Sequence, residues 1–238
     1  AEKSLLVSVT DANRGVDFGF RDAIYITGDL CYSSLLKYQS ALHLADLHRL
    51  LKHPQKSQSY LRIAHRLRKN IPARFQVSNG FLKASTGKSG QADVWATSLA
   101  HRLGVLPRQQ VLKASRAMNE AYRKGDLSLR GNIRHILRSD DFSSQTAWEQ
   151  SEASKDSYQN GAYWGTPMAW VANLMRETQI DYAKQLIQEY ISELREGDFR
   201  KGESYGAPWE CFTIKSGQNP VYMTSVTCPL IALKPINK

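Results

Sequence analysis

The sequence predicts an all-α protein built as an array of helical hairpins, and three observations carry that reading. Apolar residues recur at helical spacing in seven stretches, and broadly apolar stretches alternate with one-sided ones. Links from a broadly apolar stretch to the one-sided stretch after it are short, while the links back are long. An aromatic-x-Thr signature recurs as Tyr25-x-Thr27, Trp95-x-Thr97, Trp164-x-Thr166 and Tyr222-x-Thr224, with first intervals of roughly 70 residues, the mark of a repeated supersecondary unit.

In chain order, Asn13-Arg14-Gly15 and Phe18-Gly19-Phe20 read as loop and aromatic packing. Residues 33–51 form the first helix, with Leu35, Tyr38, Leu42 and Ala45 in one stripe. After His53-Pro54, residues 57–70 form the second: Tyr60, Ile63, Ala64 and Leu67 face inward, and Arg62, Arg66, Arg68 and Lys69 face solvent. Pro72 is expected to end it. Residues 93–103 give a broadly apolar helix, and Gly104 and Pro107 link it to 109–124, striped by Val111, Ser115, Met118 and Tyr122. Residues 168–175 are apolar nearly all round, and Ile180, Ala183, Ile187, Tyr190, Ile191 and Leu194 form the cleanest stripe. A short apolar end, 225–233, is interrupted by Pro229. The whole, 1–238, reads as one helical-hairpin domain.

Long connectors in a compact domain are functional or disordered, and these carry Trp, Tyr, Gly, Arg and carboxylates, a poor composition for disorder. They therefore mark one end of the molecule as a site. Its centre is the stretch Ser157-Tyr158-Gln159-Asn160-Gly161-Ala162-Tyr163-Trp164-Gly165-Thr166-Pro167. Here Thr166 is expected as an N-cap with Pro167 at the first helical position.

A net charge of +10 points to an acidic partner: nucleic acid, an anionic glycan or a membrane surface. No run of eighteen apolar residues predicts a transmembrane helix. Cys31, Cys211 and Cys228 lack metal-ligand spacing, and their odd number leaves room for at most one bridge. No Cys/His cluster, phosphate-cradling glycine loop or nucleophilic serine motif is present, so neither a metal nor a cofactor is expected. Ala1-Glu2-Lys3 shows no signal-peptide pattern, and the composition favours no compartment.

Several segments together resemble the six-hairpin glycosidases: Gly19-Phe20-Arg21-Asp22, Gly28…Tyr32-Ser33-Ser34-Leu35-Leu36, Asp93-Val94-Trp95-Ala96-Thr97, Tyr158-Gln159-Asn160-Gly161-Ala162-Tyr163-Trp164 and Pro208-Trp209-Glu210. The resemblance is collinear from about residue 18 to 233. It implies an (α/α)6 toroid with its active site on the long-connector face. A full toroid needs about twelve helices and the sequence supplies seven. The chain is therefore expected to be a partial ring, the C-terminal part of a larger toroid, which another chain or segment would complete.

Glycoside hydrolysis needs two carboxyl groups across the scissile bond. The expected pair is Asp93, beside Trp95 at a helix start, and Glu210, between Trp209 and Cys211. Asp93 reads equally as a helix cap. Asp22 is a third candidate or the ion-pair partner of Arg21. Arg134 and His135 could hold a uronate or sulfate, or anchor their loop. Trp95, Tyr163, Trp164 and Trp209 are stacking platforms or core, and Tyr158, Gln159 and Asn160 are further substrate contacts. The expected function is hydrolysis of a carbohydrate, acidic ones included. A non-catalytic carbohydrate-binding or scaffold module is the alternative. A basic helical-repeat binder of nucleic acid ranks last, because no nucleic-acid motif accompanies the charge.

Overall fold

The computed structural model describes residues 4–12 and 22–233; Arg21 and the stretch 13–20 lie outside the described residues. The helices are α1 (Cys31–Leu50), α2 (Pro54–Phe75), α3 (Val94–Arg102), α4 (Arg108–Arg123), α5 (Met168–Met175), α6 (Ile180–Glu196) and α7 (Thr224–Leu233). Before and between them, the described residues form eleven short strands: β1 (Val7–Val9), β2 (Ile24–Tyr25), β3 (Gly28–Leu30), β4 (Leu82–Lys83), β5 (Ala92–Asp93), β6 (Ser128–Leu129), β7 (Asn132–Arg134), β8 (Gln150–Ser151), β9 (Tyr163–Trp164), β10 (Cys211–Phe212) and β11 (Gly217–Gln218).

These strands correct the all-α expectation, and with it the (α/α)6-toroid-like partial ring. The long connectors are not loops hung on a helical array. They pair with one another as antiparallel strands, five of them in one sheet of order β11-β10-β9-β7-β6. The connector before α1 pairs β2 with β8, from the connector before α5, and β10, from the connector before α7, pairs with β9. Backbone N–H and C=O groups in a layer this thick must be satisfied away from water, and strand ladders do it. The protein is mixed α and β, with strands confined to the connector layer.

In the helical layer, α1 packs on α2, and α5 touches α3, α4, α6 and α7. Its sequence, apolar nearly all round, suits that central position: Met168, Ala169, Val171, Ala172, Leu174 and Met175 are all buried. A smaller apolar cluster of Ile24, Ile26, Leu30, Ala84, Ile136, Ala147 and Trp148 lies within the connector layer. All three cysteines are free thiols, so there is no bridge.

Two helix ends and one helix interior differ from expectation. Helix α2 continues through Pro72 to Phe75. Proline there removes one bond to the carbonyl of exposed Arg68, which water can satisfy, while Ile71 and Phe75 are fully buried at about 1.5–3 kcal/mol each. Burial wins in that last turn. Helix α5 is capped by Pro167, not Thr166, whose buried Oγ1 has no hydrogen-bond partner. Helix α7 runs through Pro229, which has no N–H to give the Ser225 carbonyl. The hydroxyl of Tyr190 on α6 donates to that carbonyl instead.

Tyr190 reaches Ser225 across Gly165, where a Cβ would lie 2.0 Å from the phenolic oxygen. Gly165→Ala must therefore push Tyr190 away and orphan the Ser225 carbonyl. The expected loss is about 2–4 kcal/mol from overpacking plus an unmet buried acceptor. Urea denaturation checks it, and a change below about 0.5 kcal/mol would show that Tyr190 is not the tie between α6 and α7.

Candidate active site

The stretch 157–165 is the hub of the connector layer, and most of its polar side chains are occupied with other connectors. Gln159 Oε1 accepts from the backbone N–H groups of Asp22 (2.7 Å) and Ala23 (3.0 Å). Asn160 accepts from Ala147 N (2.7 Å) and donates to Ala153 O (2.8 Å). Trp148 Nε1 donates to the Gln159 carbonyl at 2.9 Å. Both Gln159 and Asn160 are buried.

Arg134, only 1 % exposed, is the second anchor. Its Nε donates to Gly161 O (2.8 Å), its Nη1 to Asp141 (2.7 Å) and its Nη2 to Asp156 (3.2 Å), with Tyr163 beneath the guanidinium at 6.0 Å. Gly161 has φ +110°, and a Cβ there would lie 2.3 Å from Nη2. Glycine is required at that position by both conformation and space. The guanidinium thus serves as a loop anchor and has no exposed face to offer a uronate.

Asp93, Trp95, His135 and Trp164 also meet, but inside the protein. Trp95 stacks on His135 with centroids 3.5 Å apart, and Trp164 meets Trp95 edge-on at 5.7 Å. Asp93 is fully buried and caps α3, accepting from Ala96 N at 2.8 Å. Val94 N, next in the chain, donates to the His135 carbonyl at 2.8 Å. These rings are packed against one another, not presented to solvent.

A different group of carboxylates lies at the surface. Asp22 is exposed, and Glu210, Trp209 and Tyr158 are half-buried. The Tyr158 hydroxyl donates to Asp22 Oδ2 at 3.1 Å, joining segments 136 residues apart. Asn219 Nδ2 donates to Glu210 Oε2, and Oε1 meets no donor among the described residues. Gln218 Oε1 accepts from Tyr158 N (3.3 Å) and from the Cys211 thiol (3.1 Å). Trp209 is wedged between Gly206 and Gly217, where a Cβ would lie 2.2 and 2.1 Å from its ring. Sequence reasoning passed over Gln218 and Asn219; the one signal was the Gly217-Gln218-Asn219-Pro220 turn composition.

The backbone here is strained. Asp156 (φ 61°), Tyr158 (φ 43°), Asn219 (φ 50°) and Val221 (φ 58°) all hold left-handed conformations. Asn tolerates that region, but a β-branched Val does not, and each such residue costs on the order of 1–3 kcal/mol. The strain is held by neighbours: Val221 N donates to Gly206 O (3.0 Å) and Tyr222 N to Pro208 O (2.8 Å). Four of the seven left-handed non-glycine residues among the described residues lie in these two segments.

Burial pushes the Tyr158 phenol well above its ordinary 10.0, and the Glu210 charge and the Asp22 hydrogen bond add to this. Burial likewise raises Tyr122, next to Glu189, and Tyr190. Because the folded values lie above the unfolded one, the stability these phenols contribute is complete below about pH 10. It is lost as pH rises through the elevated folded values. The urea midpoint should therefore hold from pH 7 to 9 and fall above about pH 10, less steeply in Tyr158→Phe. A midpoint unchanged at about pH 11 would contradict the burial of these phenols.

No protein-family model and no curated protein matches the chain, so the sequence resemblance to the six-hairpin glycosidases has no family match behind it. A solved structure described as a sialidase is similar in fold, with a TM-score of 0.55 at 10 % identity. The match covers 79 % of this chain and 18 % of that one, so the chain spans under a fifth of that protein's length. Among the described residues no helix is long and apolar enough to cross a membrane, and no group of three or more His, Cys, Asp or Glu is placed to hold a metal ion.

Proposed function

We propose that the protein acts on carbohydrate as a glycoside hydrolase, with Glu210 and Asp22 as its carboxyl pair. The observation that carries this is the Tyr158 phenol, on strained backbone, which donates to the exposed Asp22 carboxylate and lies within reach of the charge of half-buried Glu210. In such a reaction one carboxyl group protonates the leaving oxygen and the other activates water or attacks the anomeric carbon. Asn219 fixes Glu210 Oε2, which leaves Oε1 as the oxygen for substrate. Tyr158 positions the Asp22 carboxylate by its donated hydrogen bond. Asp93, which the sequence pairs with Glu210, is spent on the α3 cap, and Asp22 takes its place. The fold likeness to a protein described as a sialidase supports a carbohydrate substrate, and the net charge of +10 makes acidic glycans the first to test.

The experiment is reducing-sugar release from a panel of acidic and neutral glycans, comparing the protein with its Asp22→Asn/Glu210→Gln double variant. Release by the protein and none by the variant is expected. Equal release by both would overturn the assignment of the pair, and glycan binding without release would leave a binding module.

A further inference from the structure

Helix α2 carries six Lys and Arg residues and no Asp or Glu. A merely solvated outer face does not demand this: α6, also one-sided, mixes four acids with two bases. All six α2 cations are exposed, and Arg62, Arg66 and Lys69, at i, i+4 and i+7, form a row along about 10 Å of one helix face. Arg74 is paired with Asp29, but Arg68 and Lys69 meet no carboxylate among the described residues. Beside them lies an open groove of about 500 Å³. His65, Arg68 and Lys69 form one wall, and Pro72 with the Val105–Pro107 link forms an aliphatic floor. Val105 and Leu106 are themselves nearly buried, so the floor is firm.

We infer that this groove and the cation row above it dock an acidic peptide segment of a protein partner, anchored by an aliphatic side chain. A row of cations along a helix suits several carboxylates in sequence, not one headgroup. The floor gives an apolar anchor a place to leave water. Its polar side chains are two cations and one imidazole, which provide few acceptors for sugar hydroxyls. No Trp, Tyr or Phe lines it, so it gives a nucleic-acid base no wide ring to stack on. The inference is independent of the carboxyl site, which lies in other segments of the chain.

The test is fluorescence anisotropy with a labelled synthetic peptide of Glu carrying Leu at every third or fourth position. The same peptide with Ser for Leu and a DNA duplex of equal charge serve as comparisons. The Leu peptide should bind at least about tenfold more tightly than the Ser peptide, since one buried Leu side chain is worth that much. Arg68→Glu/Lys69→Glu, at exposed positions, should abolish the preference, with circular dichroism confirming the fold, and Glu210→Gln should leave it unchanged. Equal binding of the two peptides, no binding of either, tighter binding of the duplex, or indifference to the charge reversal would each overturn the inference.

Discussion

Arg134→Met is expected to destabilise the protein by about 3 kcal/mol or more, the range for breaking a buried ion pair from one side. The guanidinium is buried and makes its bonds to Gly161, Asp141 and Asp156 from one planar fork. Lysine could not reproduce that geometry, so Arg134→Lys should fare little better. Part of the loss is cushioned, because Lys155 also pairs with Asp141. The Gly161 carbonyl, in a buried turn, has no such reserve and would lose its donor. Urea denaturation measures the effect. A loss under about 1 kcal/mol would mean that Arg134 does not hold the connector layer, and would return it to the list of ligand contacts.

The second large effect concerns activity. Glu210→Gln should lower turnover by about 10²–10⁴-fold, the usual worth of a positioned acid or base, while leaving the urea midpoint nearly unchanged. Glutamine keeps the shape of the side chain and can still accept from Asn219, so a fold defect is not expected. Asn219→Ala frees Glu210 without removing it and should cost about tenfold at most. Asp93→Asn is the contrasting case. Its oxygen can still cap α3, and turnover should stay within a few-fold if the cap is the role of that residue. A Glu210→Gln protein of full activity beside an inactive but folded Asp93→Asn would reverse the assignment.

The helices were legible because their burial is local and periodic. Helix α5 spans 168–175 as the apolar run implied, and α6 carries the stripe from Ile180 to Leu194. The sheet was not legible, since its strands are two or three residues long. Alternation needs about four residues to register, and these strands take their partners from other connectors. The same tertiary pairing bears on the misplaced cap at Thr166, which lies two residues after β9 while Pro167 caps α5.

For the site, composition identified the connector face but not which side chains point outward. Tyr158, Gln159 and Asn160 are neighbours in sequence, yet Gln159 and Asn160 bond backbone at 22–23, 147 and 153 while Tyr158 reaches Asp22. Trp95 read as a stacking platform or core and His135 as an anion contact or loop anchor; the two stack on each other. Asp22 and Glu210 were among the sequence candidates. What joins them, a phenol from a third connector and an asparagine in a left-handed turn, has no sequence pattern of its own.

The most direct test of the account is amide hydrogen exchange with and without the oligosaccharide of the panel that binds most tightly. Slowed exchange in the segments around Tyr158 and across 206–222, with α2 and the start of α3 unchanged, is the predicted result. Slowing confined to residues 92–103 around Asp93 and Trp95, with 206–222 unaffected, would contradict it.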